Sequence, residues 1–370
     1  MPTLLAVIRN GQPAIADGRV PRTPSPGLAK PHGRRQNRGM SDDFIHFAYA
    51  LAPGRAGRAL TGSDEIAEAL ADPAPAWVHL QADDPRSHDW IETHLGYLPA
   101  PVREALTATE TRPRFVKFGD GALLNLRGVN LNPGEEPEDM ISLRAFADPS
   151  RVVTLTVRRL RTVEEVRDLV ASDAAPGDAG ELVVDLIERL SARIAEAVGT
   201  MDREADQFEE DVLLGRGDEI RAEISDLRAA VVDFRRFVLP HRDAVQGLAG
   251  SGLSILDRDD DLDLNEALDT LNRASEVIHS IRERLIVLKD EVASQHADRL
   301  NRNLYVLSIV SAVFLPLGFF TGLMGINLAG MPGADWPPAF WVFTGALGLL
   351  GAGLVGLLAG LGFVRVRRRR

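Results

Sequence analysis

The run LYVLSIVSAVFLPLGFFTGLMG, residues 304–325, contains no charged side chain and decides the fold of this chain. The hydrocarbon core of a bilayer, roughly 30 Å thick, needs about 20 apolar residues in an α-helix. A second run, AFWVFTGALGLLGAGLVGLLAGLGFV at 339–364, also exceeds that length. Two buried helices of a water-soluble core would rarely be so long without a charge. We therefore predict transmembrane helices at 304–325 and 339–364, joined by an external loop at 326–338.

The composition excludes several classes of protein. The chain has 370 residues and a formal net charge of −11, and almost all of its charge precedes the two apolar runs. A nucleic-acid-binding protein is expected to be basic, so no nucleic-acid partner is predicted. There is no cysteine, which excludes disulfides, thiolate zinc sites and cysteine nucleophiles.

Charges next to the apolar runs predict the orientation of the chain. Arg299 and Arg302 precede the first run, and the loop carries one acid, Asp335, and no Lys or Arg. Five arginines follow the second run in the basic tail 365–370: Arg365, Arg367, Arg368, Arg369 and Arg370. The positive-inside rule then places both termini in the cytoplasm of a multi-pass inner (cytoplasmic) membrane protein. The cytoplasmic basic tail could also bind anionic lipid headgroups.

The part before the spans divides by pattern. Residues 1–39 are rich in Pro, Gly and Arg without periodicity, and we predict a disordered N-terminal extension. Residues 40–160 alternate between strand-like and helix-like runs, which predicts an α+β cytoplasmic domain. Ser63 and Ser87 are expected as helix N-caps. The strand-like runs are DFIHFAYAL, AWVHL, ALLNLRGVNL, MISLRAFA and RVVTLTV, and the helical runs are SDEIAEALAD, SHDWIETHL and PVREALTA.

Residues 161–303 are predicted to form long stalk helices. A first helical stripe comprises Leu182, Leu186, Leu190, Ile194, Met201, Phe208 and Val212. The last stalk helix is expected to begin near Asp263, and its apolar spacing averages the 3.5 repeat of a left-handed coiled coil. The positions are Leu264, Leu268, Leu271, Ile278, Ile281, Leu285, Leu288 and Val292. No Pro or Gly occurs between Asp263 and Leu315, so this helix should continue into the membrane over roughly 80 to 90 Å.

One face of the first span tolerates polar groups. Its residues recur at intervals of three and four: Asn301, Leu304, Ser308, Ser311, Leu315, Gly318 and Gly322. Two spans cannot enclose a polar path, so a pore needs several copies of the chain around an axis. Asn327 would lie at the outer end, where amide oxygens accept hydrogen bonds from the water shell of a divalent cation. Gly325 would let the backbone leave the helix and present carbonyls.

A second interpretation of the same residues stays open. Small residues in membrane helices usually serve close helix packing, and asparagine near glycine is an ordinary turn signal. The residues alone therefore leave a pore and an oligomeric anchor or receptor as alternatives.

Residues 301–333, NRNLYVLSIVSAVFLPLGFFTGLMGINLAGMPG, resemble the membrane hairpin of the CorA superfamily of divalent metal transporters. The resemblance lies in the long helix, the FLPLGFFTGLMG run and the triplet Gly325, Ile326, Asn327. Most magnesium members carry Met in the middle of this triplet, and their loop has several acids. Both departures resemble the ZntB branch of zinc transporters, as do TETRPR at 109–114 and RGVNLNPGEEPEDMISLR at 127–144.

The resemblance covers residues 43–364 and implies a homopentamer with a cytoplasmic α/β funnel, a helical stalk and a pore lined by the first span. It implies that Asn327 is the outer cation-binding position, contacting the metal through water, and that Gly325 and Ile326 complete the selectivity motif. The implied function is proton-coupled zinc uptake, with the cation as cargo and no cofactor. Alternatives are a magnesium, cobalt or nickel channel of the superfamily, and a non-transporting oligomeric membrane sensor or scaffold.

Other candidate sites are weaker. The eight histidines show no HxxxH or HxH spacing, so we expect structural or surface roles for most of them. The acidic run LDRDDDLD at 256–263 either gathers cations or forms a solvated loop and the N-cap of the long helix. The sequence has no P-loop, dinucleotide fingerprint or nucleophile elbow, and we predict that the protein is not an enzyme.

Overall fold

The structure is a computed structural model that describes residues 43–361 apart from 52, 54, 55, 110, 111, 173, 327–332, 334 and 335. The predicted disordered extension, Asn327 and the basic tail 365–370 lie outside the described residues.

A single seven-stranded mixed sheet forms the centre of the α/β domain, in the order β2-β1-β3-β7-β6-β5-β4. Only the β3–β7 pair is parallel. All five strands predicted from apolar runs are present, as is the α+β class. The strands are β1 (Ile45–Ala50), β2 (Arg58–Ala59), β3 (Ala76–Gln81), β4 (Arg114–Phe118), β5 (Gly121–Gly128), β6 (Ile141–Asp148) and β7 (Arg151–Thr156).

Helices cover both faces of this sheet. Successive side chains of a strand point to opposite faces, and both faces of the central strands are apolar, so each face packs against helices and forms its own core. Leu123 belongs to the core under the three predicted helices, α1 (Ser63–Ala71), α2 (Pro85–His94) and α3 (Ala100–Thr107). Its neighbour Leu124 belongs to the core shared with the later helices. Those are α4 (Arg161–Val170), α5 (Ala179–Leu213), α6 (Arg221–Ala249) and α7 (Arg258–Met324).

Two local expectations were wrong. Ser63 is the first residue of α1 after Gly62, and its hydroxyl accepts a hydrogen bond from the Trp90 indole. Asp84 caps α2 by accepting from the Arg86 backbone N–H, whereas the Ser87 hydroxyl donates to the Gln81 carbonyl at 2.6 Å. Neither serine hydroxyl caps its helix, because the Ser63 hydroxyl contacts Trp90 of α2 and the Ser87 hydroxyl contacts the end of β3.

Strand β4 was not predicted from the sequence. Its five residues, RFVKF, pair with β5 at the sheet edge, and its inner face packs on α6. An ideal Cβ on Gly247 of α6 would lie 3.0 Å from the Phe115 ring. This strand therefore depends on a close approach of α6 that has no local signature.

The stalk is formed by α5, α6 and α7 of one chain. Every predicted apolar position of α5 is buried, and those of α7 are buried or, at Leu268, half-buried. The heptad face of α7 packs on α5 and α6, so this seam is occupied within the chain. Arg284 of α7 adds an ionic contact to α5, where it contacts three carboxylates: Asp202 at 2.8 Å, Glu209 at 2.5 Å, and Asp206.

Helix α7 begins five residues earlier than expected, inside the acidic run. The Asp257 carboxylate accepts from the backbone N–H groups of Asp259 and Asp260, and Asp260 accepts from that of Asp257 at 3.0 Å. This capping box satisfies N–H groups that the first helical turn leaves unpaired. The run therefore supplies the helix N-cap, which was one of its two interpretations.

Asp260 makes the stability of this junction pH-dependent. Burial raises the pKa of its carboxyl from 3.8 to about 6, against the backbone hydrogen bond from Asp257, which lowers it. The folded protein therefore binds this proton more tightly than the unfolded chain. Its contribution is fully present below about pH 4 and is lost as the pH rises toward 6.

Asp260→Asn keeps the hydrogen-bond acceptor and removes the charge. We expect the melting temperature of the variant, relative to wild type, to increase by roughly 3 to 6 °C between pH 4 and pH 7. Thermal unfolding of the detergent-solubilised protein at both pH values measures this difference, with the exposed Asp261→Asn as control. A difference that does not change with pH contradicts the assignment.

Beyond the stalk, α7 continues as one helix into the first apolar run. Its 67 residues span about 100 Å at 1.5 Å per residue, through Pro316 and without a break. Helix α8 (Ala339–Gly360) follows. Both helices are long and apolar enough to cross a membrane, and their apolar segments are unburied within the chain, as expected of surfaces facing lipid or other copies.

Candidate cation path

We call the face of the first span formed by Asn301, Leu304, Ser308, Ser311, Leu315, Gly318 and Gly322 the polar-tolerant stripe. All seven residues lie on α7. Six are exposed in the single chain, and Ser311 is half-buried. Their 3.5-residue spacing drifts about 20° per heptad on a straight helix, so the stripe remains on one side of the helix over its three heptads. The structure thus leaves this face open to solvent, lipid or another copy of the chain.

Helix α8 occupies a different side of α7. The half-buried residues of the first span include Ile309, Val313 and Leu317. An ideal Cβ on Gly351 of α8 would lie 3.5 Å from a methyl carbon of Leu317. Gly351 is therefore in packing contact across the hairpin, and α8 and most of the stripe do not compete for the same face.

The two glycines of the stripe have open space beside them. Among the described residues, a Cβ built on Gly318 or Gly322 meets nothing within 4 Å. A groove of about 560 Å³ lies along this region and is lined by Val310, Ser311, Phe314, Leu315, Gly318 and Phe319. Packing against the described residues of the same chain therefore does not require glycine at these two positions.

The polar groups of the first span bond locally. The Ser308 hydroxyl donates to the Leu304 carbonyl at 2.8 Å. With its proton used this way, the Ser308 oxygen offers only lone pairs, which suit water molecules around a cation. Pro316 has no N–H, so the Ala312 carbonyl lacks its usual partner within the helix. Both features add acceptors, not donors, to the span.

The chain after the C-terminal end of α7 is described only as far as Ile326. The helix ends at Met324, and the Gly325 N–H donates to the Thr321 and Gly322 carbonyls. Gly325 has φ −83° and ψ −6°, a conformation open to any residue. The helix therefore ends where the sequence predicted, but without the special backbone freedom of glycine. The position of Asn327 stays a prediction.

Charged side chains and histidines are absent from the described part of the candidate path. No Asp, Glu, Lys, Arg or His occurs from Leu304 to Ile326. Before the N-terminal end of this stretch, Arg299 binds the Asp218 carboxylate and the Gly215 carbonyl. Arg299 therefore connects α7 to the turn between α5 and α6. The sequence had indicated only its contribution to membrane orientation, not this structural contact.

Two described histidines are buried in the α/β domain and the stalk. His79 and His241 are buried, and burial lowers the pKa of His79 to about 3 and that of His241 to about 4. Both rings are therefore neutral near pH 7. His79 contacts Thr154 and Thr156, and His241 Nδ1 accepts the Arg127 backbone N–H at 3.1 Å. Among the described residues, no group of three or more His, Asp or Glu is arranged to hold a metal.

Comparison with known families accounts for this architecture. Residues 73–359 match the family described as CorA-like Mg2+ transporter protein. The chain belongs to the CorA family. Its match includes most of the α/β domain, the stalk and both apolar helices, and the family is one of transporters rather than enzymes.

The relatives of this CorA-family chain include two kinds of named transporter. The divalent cation transporter CmaX of Pseudomonas aeruginosa is 36% identical over 299 residues, covering 80% of this chain and 90% of the relative. The zinc transport protein ZntB of Pectobacterium atrosepticum is 30% identical over 307 residues, covering 83% and 92%.

Solved structures share the fold. The structure of full-length CmaX has a TM-score of 0.73 at 34% identity and covers 86% of this chain and 97% of the other. The CorA magnesium transporter from Methanocaldococcus jannaschii has a TM-score of 0.69 at 16% identity, covering 86% and 98%, which supports the fold alone. The expected CorA-like architecture of an α+β domain, long stalk helices and a C-terminal hairpin is confirmed.

Proposed function

We propose that this protein transports a divalent metal cation, zinc, through an axial pore between copies of the chain. The observation that carries this proposal is the stripe of small and uncharged residues on α7, which is open in the chain and lies mostly away from α8. Curated relatives named as a divalent cation transporter and as zinc transport proteins support the choice of cargo.

Assembly is part of the proposal. One chain supplies two membrane helices, and two helices cannot surround a water-filled path. The heptad face of α7 packs within its own stalk, so contacts between copies must use other surfaces. The segment of α7 from His296 to Ser308 is exposed on every side and is the surface we assign to this role. The resemblance to the CorA superfamily supports a homopentamer, which is the assembly we propose.

The proposed path handles a hydrated ion. It contains no carboxylate or imidazole that would bind the bare metal strongly. Backbone and side-chain oxygens, with the Asn327 amides at the outer mouth, accept hydrogen bonds from metal-bound water instead. Weak contacts of this kind let an ion enter and leave. Gly325 and Ile326 complete the proposed selectivity motif.

The driving force must come from outside the chain. The membrane potential provides about 2.3 kcal/mol per elementary charge per 100 mV, and a divalent cation gains twice that on moving inward. We place both termini in the cytoplasm, as the flanking arginines indicate. A proton gradient is the second source, assigned here from the resemblance to zinc transporters.

Metal uptake into proteoliposomes tests the proposal. We expect saturable zinc uptake that an imposed proton gradient increases, with slower uptake of magnesium, cobalt and nickel. Protein-free liposomes measure leakage. Faster magnesium uptake without proton dependence would identify a magnesium channel instead. Absence of uptake for all four ions, from protein that remains oligomeric, would support the sensor or scaffold alternative and reject transport.

A further inference from the structure

A pocket of about 540 Å³ in the α/β domain is lined by five arginines. They come from separate segments: Arg112 precedes β4, Arg127 lies on β5, Arg144 on β6, Arg158 follows β7, and Arg236 lies on α6. No Asp or Glu is among the described residues that line the pocket. In a chain with a net charge of −11, this concentration of positive charge is local and unusual.

Most of these guanidinium groups lack a carboxylate partner. Arg158 is held by Glu135 at 3.0 Å and Asp139 at 2.6 Å. Arg112, Arg144 and Arg236 form no ion pair within the part of the chain that the structure describes. Among the described residues, three of the five guanidinium groups therefore have no carboxylate within ion-pair distance; Arg112 and Arg236 are exposed, and Arg144 is buried.

Arg144 is the most informative of the five. Its side chain is only 3% exposed. One terminal nitrogen donates to the Leu106 carbonyl at 3.1 Å, whereas Nε has no hydrogen-bond partner. A buried charged donor without a partner costs free energy that a bound anion would recover.

Charge repulsion points the same way. Burial lowers the pKa of the Arg144 guanidinium, and the nearby Asp83 carboxylate raises it. Burial first, and then the charges of Arg144, Arg236 and Arg158, lower the pKa of Arg127, whereas Asp139 raises it. The fold therefore holds like charges together at an energetic cost. Such an arrangement is stable at lower cost with a negative group between the charges.

Two of the guanidinium groups contact the same aromatic ring. The guanidinium carbons of Arg127 and Arg236 are 4.4 Å and 5.5 Å from the centre of the Phe237 ring. These cation–π contacts orient the donors. The planar fork of arginine matches the spacing of two oxygens on a tetrahedral oxyanion.

The pocket also unites two sequence stretches that the cation path does not use. Thr109 and Arg112 belong to TETRPR, and Arg127, Ser142 and Arg144 belong to RGVNLNPGEEPEDMISLR. Antiparallel pairing places Ser142 opposite Arg127 in the sheet. The folding of separate segments around one set of arginines indicates a binding site, since no packing requirement calls for five cations there.

We propose that this pocket binds a tetrahedral oxyanion of the phosphate class, either free phosphate or the phosphoryl group of a larger metabolite. Arg112, Arg144 and Arg236 supply the unpaired donors, and Arg127 and Arg158 add positive charge. Bound anion would connect strands β5 and β6 to α6, which itself packs on α7. The site is independent of the proposed transport function.

Titration calorimetry on the full-length protein in detergent tests the site, with inorganic phosphate as probe and gluconate as the buffer anion. We expect one saturable site per chain that weakens with added salt. The double variant Arg112→Gln, Arg236→Gln should bind roughly 100-fold more weakly, because each charge-assisted contact contributes about tenfold. The matched variant Arg114→Gln, Arg235→Gln changes two exposed arginines outside the pocket and should bind as wild type.

Two further probes identify the ligand. Tighter binding of ATP than of phosphate, lost in the same double variant, assigns the pocket to a phosphoryl group of a larger metabolite; equal binding assigns it to free phosphate. The proposal is overturned by absence of saturable binding of both probes, by equal loss in the matched variant, or by chloride binding as tightly as phosphate. Metal uptake by the double variant remains a separate measurement, so failure here leaves transport unaffected.

Discussion

Asn327→Ala should reduce saturable zinc uptake at least tenfold while the protein keeps its oligomeric state. In the proposed pore, five amide oxygens at the outer mouth accept hydrogen bonds from the water shell of the cation. Loss of one hydrogen bond typically changes a free energy by about 1 kcal/mol, and the variant removes all five at once. Alanine is smaller than asparagine, so any loss of flux cannot come from a blocked path.

Uptake into proteoliposomes and the elution volume on size-exclusion chromatography measure the two parts of this prediction. Asn265→Ala is the matched control, because Asn265 is an exposed amide near the start of α7, outside both the stripe and the segment assigned to contacts between copies. Unchanged uptake in Asn327→Ala would remove the outer site from the mechanism. Equal loss in Asn265→Ala would show that the effect is not specific to the mouth.

Gly318→Leu should also reduce uptake at least tenfold, by the opposite physical effect. Among the residues that the structure describes, a Cβ at Gly318 meets nothing within 4 Å, so we expect the fold of one protomer to tolerate the larger side chain. Around an axis, however, the substitution brings five isobutyl groups into one narrow section of the path. An apolar constriction of this kind excludes water and the hydrated ion with it.

Gly353→Leu on α8 is the matched control, because a Cβ there is equally unobstructed and the same volume is added to the other membrane helix. We expect normal uptake from this variant. If Gly318→Leu dissociates the oligomer instead, glycine serves helix packing, which is the alternative that the sequence left open. If it retains both oligomer and uptake, the stripe does not line the path.

Sequence patterns predicted the elements whose stability depends on local periodicity. The two spans follow from length and absence of charge, and the buried stripe of α5 follows from 3.6-residue spacing. These predictions succeeded because every turn of such a helix repeats the same requirement. The helix starts earlier than predicted because Asp257 and Asp263 are both chemically suitable caps, and the structure uses Asp257, which forms a capping box with the buried Asp260.

Contacts between distant segments explain what was missed. Strand β4 is five residues long and needs β5 and α6 beside it. The five arginines of the pocket are scattered from residue 112 to residue 236. Three of them occur in stretches already noted for family resemblance, yet no spacing rule relates residues on different strands and helices.

By itself the sequence determined that this protein has two apolar helices, an uncharged first span and a Gly325-Ile326-Asn327 motif at its end. Hydrophobicity and helical repeat act along the chain and need no partner to be recognised. Only the tertiary structure decided three other features. The heptad face of α7 packs within the stalk of its own chain, and α8 leaves most of the polar-tolerant stripe open. Five arginines from separate segments line one pocket. Each of these depends on which surfaces meet, and the free energy of such contacts is set by packing and charge across the fold.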